Sequence, residues 1–115
     1  IRRFGTGNFI RKIENVQEID KKLAREGYSF LKEVIQSGEY SLVIADEIFV
    51  ARRFGLVSSE EILSLIQLKS ENTELVLTGR HAPDEIIEKA DLVTEMCEVK
   101  HYFKQGVKAR EGIER

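Results

Sequence analysis

Apolar and polar positions along the chain alternate between short, branched apolar runs and longer helical stripes. Ile1-Arg2-Arg3-Phe4 reads as a strand entered midway, and Gly5 to Glu14 as a loop with glycines free to take positive φ. Asn15 followed three residues on by Glu18 is a capping-box-like start. Beyond it, Ile19, Leu23, Phe30 and Val34 fall near one helical face with Leu31 and Ile35 beside it, which predicts a helix from Val16 to Ser37, ended by Gly38. Ser41-Leu42-Val43-Ile44-Ala45 is short and almost wholly apolar, as expected of a strand covered on both faces of a parallel sheet. Ile48 to Phe54 can make two helical turns closed by Gly55, and Ser58 with Glu61 forms a capping box before the buried stripe Ile62, Leu65, Ile66, giving a helix from Ser59 to Lys69. Glu74 to Thr78 is a further strand, and Gly79-Arg80-His81-Ala82 turns into a helix with Pro83 near its first position, ending near Ala90. Leu92 to Met96 supplies a last strand, and Val99 to Arg115 reads as a tail that orders on contact.

Strands alternating with helices argue for an α/β domain with a mainly parallel sheet flanked by helices, because parallel neighbours need crossover connections. At 115 residues the chain is a single domain's worth, and no linker or repeat divides it. Its 18 Lys and Arg against 20 Asp and Glu leave a net charge of -2, so no basic field points to nucleic acid. No apolar run approaches the ~20 residues that span a bilayer, so no membrane partner is expected. The single Cys97 cannot close an internal disulfide, and with two His it is too little for an obvious zinc site; a reducing, cytoplasmic setting is expected. The opening at Ile1 rather than Met leads to the further expectation that an N-terminal portion precedes these residues.

Ligands of open α/β sheets bind at the carboxyl ends of the strands. Those ends carry Gly5-Thr6-Gly7, Asp46-Glu47, Thr78-Gly79-Arg80 and the segment from Glu98 to His101. The sharpest signal is Leu42-Val43-Ile44-Ala45-Asp46-Glu47, an apolar strand ending in two acids. This is the Walker B pattern, in which a strand-tip carboxylate serves Mg²⁺ beside nucleotide phosphates; a strand ending in solvated acids looks the same when taken alone. Its partner motif, G-x-x-x-x-G-K-[ST], does not occur in the 115 residues, and Gly5-Thr6-Gly7 reads as a flexible turn. Arg80 could reach a phosphate or another acidic group, or pair with Asp84 or Glu85. His81 and His101 could meet at the sheet edge, although ordinary polar contacts account for lone histidines more often. Tyr102, Phe103, Val107 and Ile113 are unusual in a charged tail, which suggests packing against the sheet edge or a ligand.

The ordered set of motifs is more specific than any one of them. Tyr40-Ser41-Leu42-Val43-Ile44-Ala45-Asp46-Glu47, Phe54-Gly55-Leu56, Glu60-Glu61-Ile62-Leu63, Leu75-Val76-Leu77-Thr78-Gly79-Arg80-His81-Ala82-Pro83, Ala90-Asp91-Leu92-Val93-Thr94-Glu95-Met96, Val99-Lys100-His101-Tyr102-Phe103 and Gly106-Val107-Lys108-Ala109-Arg110-Glu111-Gly112-Ile113-Glu114 cover nearly the whole chain. In that order they resemble the ATP:corrinoid adenosyltransferases of the CobA, CobO and BtuR type.

The resemblance implies a P-loop NTPase-like (RecA-like) fold of which residues 1–115 are the C-terminal two-thirds, with the N-terminal strand and P-loop outside them. It implies transfer of the 5'-deoxyadenosyl group of Mg-ATP to cobalt(I) of a corrinoid with release of triphosphate, in adenosylcobalamin biosynthesis or salvage. Activity would require the P-loop. ATP, Mg²⁺ and the corrinoid are the implied small molecules, a flavoprotein reductase the implied electron donor, and a homodimer the implied assembly. Glu47 matches the family carboxylate serving Mg²⁺, with Asp46 alongside it. Phe9 and Ile10 match a loop that faces the corrinoid, and Arg80, Lys100 and His101 are the remaining substrate-binding candidates. No side chain is implied as a nucleophile, because cobalt(I) fills that role. The rival readings are a nonenzymatic corrinoid-binding or assembly module that has lost ATP chemistry, and a generic P-loop ATPase fragment.

Overall fold

The structure is a computed structural model and describes residues 1–8 and 10–113. Helix α1 (Glu18–Ser37) leads into strand β1 (Leu42–Ala45), helices α2 (Ile48–Arg53) and α3 (Ser59–Leu68), strand β2 (Glu74–Leu77) and the short helix α4 (Asp84–Ile87). The two strands pair in parallel, with Leu42 opposite Glu74 and Ala45 opposite Leu77, and α2 and α3 make the crossover between them.

Local chemistry sets the element ends. Helix α1 starts later than the sequence pattern suggests: the acid that closes its first turn is Asp20, whose Oδ2 accepts from the Gln17 N–H at 2.9 Å, rather than Glu18 paired with Asn15. At its other end Gly38 takes φ 67°, the left-handed conformation that stops a helix without a Cβ penalty. Helix α3 is capped as the Ser58–Glu61 pair predicts, since Glu61 N–H donates to Ser58 Oγ at 3.1 Å and Ser58 N–H to Glu61 Oε2 at 2.8 Å. Pro83 precedes α4 as its cap, and the chain keeps turning to Ala90, whose N–H bonds the Ile86 carbonyl at 3.1 Å.

The core lies on one side of the sheet. Val43 and Ala45 of β1 pack with Ile35 of α1, Ile48 and Phe49 of α2, Val57, Ile62 and Leu65 of α3 and Ile86 of α4. Ile35, Leu31, Val34 and Tyr28 are the residues that α1 turns inward, while Ile19 and Phe30 stay largely outside, so the buried stripe is narrower and rotated from the predicted one. Thr73 is the buried polar side chain of this core, and its hydroxyl donates to the Tyr40 carbonyl at 2.8 Å, which removes the cost of enclosing it.

Three expectations are corrected. Strand β1 is covered on one face only: Leu42 and Ile44 are 53% and 56% exposed, and Val76 of β2 stands beside them on the same open face. Ile1 to Phe4 and Leu92 to Met96 are not strands, because an extended run becomes a strand only with a ladder partner, and neither finds one among the described residues. Phe4 instead packs on Phe30 with ring centroids 5.5 Å apart, and Met96 is almost fully exposed. The tail from His101 to Ile113 is exposed throughout rather than laid on the sheet edge. It makes a short 3-10 turn at Tyr102–Gln105 and local contacts, with Lys104 bridging to Glu98 at 2.5 Å and the Arg110 guanidinium over the Tyr102 ring; such short-range closures cost little chain entropy.

Candidate functional site

Because β1 and β2 are parallel and in register at Ala45 and Leu77, both chains leave the sheet at the same edge. Asp46 and Thr78 are the next residues on each strand, and the ladder runs one bond further, from Thr78 N–H to the Ala45 carbonyl at 3.1 Å. The side chains then close the edge. Thr78 Oγ1 donates to Asp46 Oδ1 at 2.7 Å and accepts from the Glu47 N–H at 2.9 Å, so one hydroxyl ties both acidic residues to the neighbouring strand.

Glu47 adopts φ 58° and ψ 26°, a left-handed conformation uncommon for a residue with a Cβ, and its carbonyl accepts from Val50 and Ala51 at the start of α2. This turn folds the chain sharply from strand to helix and leaves the carboxylates of Asp46 and Glu47 exposed to solvent at the strand tip. On the other strand, Gly79 takes φ 138°, and a Cβ there would stand 2.9 Å from Phe49 Cβ and 3.1 Å from Phe49 N. The glycine therefore lets β2 exit against the first turn of α2, where Phe49 N–H also reaches the Thr78 carbonyl at 3.4 Å. His81, at φ 63°, makes a second left-handed residue in the same exit loop.

Of the residues singled out from sequence, Asp46, Glu47 and Arg80 are brought to this edge by adjacent strand ends. Arg80 is exposed, and the pairing with Asp84 or Glu85 considered for it is not found; it makes no ion pair among the described residues. Lys100 and His101 lie in the exposed terminal segment. His101 Nδ1 accepts from the Phe103 N–H at 3.0 Å and its ring stacks obliquely on Tyr102, so its contacts are local to that segment. Ile10 is half-buried in the N-terminal loop, and Phe9 lies outside the described residues. Sequence reading treats Thr78 as a strand end and gives it no role; the available signal is its register position, one step past Leu77 and directly across from an acid.

The donor set is two hard carboxylates at one strand tip, and no group of three or more metal-ligating side chains occurs among the described residues. That suits Mg²⁺, which takes one or two carboxylates and completes its shell with water and substrate phosphates, better than a zinc-type cage. A broad depression lined by Lys21, Arg25, Arg52 and Arg53 lies between α1, α2 and α3, in the helical layer rather than at the acid pair. Arg25 is committed there: its guanidinium grips the Glu61 carboxylate with both terminal nitrogens and also donates to the Leu56 carbonyl. The Arg25 hydrogen bond holds the Glu61 carboxyl below the usual glutamate range.

The family model described as ATP:corrinoid adenosyltransferase BtuR/CobO/CobP matches residues 1–115. A corrinoid adenosyltransferase of Sinorhizobium sp is 40% identical over 96 residues, which is 83% of this chain and 45% of the relative. One from Pseudomonas aeruginosa is 36% identical over 91 residues, 79% of this chain and 45% of the relative. The corrinoid adenosyltransferase of Escherichia coli K12 is 30% identical over 98 residues, 85% of this chain and 50% of the relative. The chain thus spans about half the length of the curated relatives it matches.

Proposed function

Because the chain belongs to the ATP:corrinoid adenosyltransferase family, we propose that the full-length protein moves the 5'-deoxyadenosyl group of Mg-ATP to cobalt(I) of a corrinoid and releases triphosphate. The reaction would serve adenosylcobalamin biosynthesis or salvage. The observation that carries this reading is the acidic edge, where a parallel strand ends in two exposed carboxylates beside the exit of its neighbour. Asp46 and Glu47 would hold Mg²⁺, which neutralises charge on the triphosphate as it departs.

The protein's own work is then binding and orientation. Cobalt(I) is the nucleophile, so no side chain attacks, and the gain in rate comes from holding two large substrates in line and from meeting the leaving group's charge. Arg80 would meet part of that charge, a role supported by its exposure on the loop after β2 and its lack of an ion-pair partner among the described residues. Phe9, Ile10, Lys100 and His101 would meet substrate, a role that rests on the resemblance of their motifs to those of the family. The reading also takes the whole protein to be a RecA-like domain of which residues 1–115 form the C-terminal part. It includes a phosphate-binding glycine loop that these residues do not contain, as the length of the relatives supports. Cobalt(I) needs a strong reductant, which supports a flavoprotein reductase as electron donor in a reducing cytoplasm; a homodimer completes the reading. Among the described residues no helix is long and apolar enough to cross a membrane.

The test is product identity under anaerobic conditions. The full-length protein with Mg-ATP and a chemically reduced corrinoid should give a light-sensitive alkylcobalt product and one triphosphate per corrinoid consumed. Release of ADP and phosphate without dependence on corrinoid would overturn the reading in favour of an ordinary ATPase. Corrinoid binding with no nucleotide turnover would favour a nonenzymatic carrier.

A further inference from the structure

The Thr78 hydroxyl touches both acidic residues at the strand edge, and it uses its only hydrogen on Asp46 Oδ1, at 2.7 Å. Its lone pair takes the Glu47 N–H at 2.9 Å, at the residue whose backbone is left-handed. Two degrees of freedom are fixed by this single oxygen. The Asp46 carboxylate cannot turn freely about its own axis, since one of its oxygens is already occupied. The Glu47 backbone is held in a left-handed conformation that is uncommon for a side-chain-bearing residue and persists only when its surroundings enforce it. Thr78 is itself fixed from behind, because its N–H and carbonyl are engaged by Ala45 and Phe49.

We propose that Thr78 is a positioning residue for divalent cation binding: by holding Asp46 Oδ1 and the Glu47 N–H, its hydroxyl orients the Asp46 carboxylate and the Glu47 turn toward the ion. The proposal rests on the functional reading above, in which the acidic edge holds Mg²⁺. A hydroxyl donating to a carboxylate is a charge-assisted bond, and losing it frees the carboxylate to rotate and leaves the strained Glu47 turn with one fewer restraint. The consequence falls on ion affinity rather than on the fold, since Asp46 and Glu47 are exposed and outside the packed core.

Thr78→Val keeps the shape of the side chain and removes the hydroxyl, and Thr78→Ser keeps the hydroxyl and removes the methyl. Mn²⁺ binding to the full-length protein in the presence of ATP, followed by electron paramagnetic resonance, reads the site without reference to turnover. Thr78→Val should weaken Mn²⁺ binding about tenfold and raise the Mg²⁺ concentration for half-maximal turnover to match. Thr78→Ser should lie within about threefold of the parent in both, with melting temperatures of all three proteins within a few degrees. Equal weakening in both variants, unchanged binding in Thr78→Val, or an absence of Mn²⁺ binding in the parent would overturn the proposal. Normal Mn²⁺ behaviour in a protein that adenosylates no corrinoid would overturn the functional reading and leave the role of Thr78 standing.

Discussion

Gly79 shows how a single backbone position can secure the edge. At φ 138° and with Phe49 Cβ 2.9 Å from where its own Cβ would sit, it can gain a methyl group only if α2 or the β2 exit moves. Gly79→Ala should therefore destabilise the full-length protein by about 1–3 kcal/mol and displace Arg80 with it. Thermal denaturation should show a fall of several degrees, and an unchanged melting temperature would mean that the Phe49 contact yields without cost. At this scale the sequence was a partial guide. The strand-tip position of Asp46 and Glu47 was legible because the apolar run before them is a strand pattern that ends in paired acids. Thr78 was not, because its role arises from the register of two strands that lie 32 residues apart from Asp46 to Thr78. Nothing local to Thr78 distinguishes a strand end from a carboxylate anchor.

Among the elements, the start of α3 is the best-buttressed. Ser58 and Glu61 cap it reciprocally, and Arg25 reaches across from α1 to take the same carboxylate, so one glutamate joins a helix cap to a helix–helix contact. The ion pair with Arg25 requires Glu61 ionised, and the Arg25 hydrogen bond, followed by the Ser58 N–H, lowers its folded-state value against the opposing effect of burial. A depressed carboxyl contributes stability that is present above its unfolded value of about 4.3 and is lost as pH falls through the lower folded value. Glu61→Gln should cost about 1 kcal/mol at neutral pH and progressively less as pH falls below the ordinary carboxylate range, flattening the acid limb of the stability curve, as chemical denaturation across acid pH would reveal. A variant curve parallel to the parent's would remove Glu61 from acid sensitivity. The helices were largely legible because caps and 3.6-residue stripes are local. The strands at Ile1 to Phe4 and Leu92 to Met96 were misread because a branched or apolar run records only a preference, and the ladder that makes a strand depends on a neighbour.

For the molecule as a whole, the contrast between the two sheet faces matters most. Val43 and Ala45 are packed under α1 and α3, whereas Leu42, Ile44 and Val76 form an uncovered apolar face. The continuous apolar run of β1 correctly signalled a parallel strand, and its expectation of cover on both faces exceeded what these residues supply by themselves. The acidic edge does not depend on that second cover, since Ala45, Leu77, Thr78 and the first turn of α2 fix it from the packed side. If this edge serves Mg-ATP in adenosyl transfer, Glu47→Gln removes that service with the smallest change of shape. Measured as alkylcobalt formation from a reduced corrinoid at saturating Mg-ATP, the full-length Gln variant should lose about a hundredfold or more in rate while melting within a few degrees of the parent. Adenosylation at the parental rate by a Gln variant of parental stability would contradict the account.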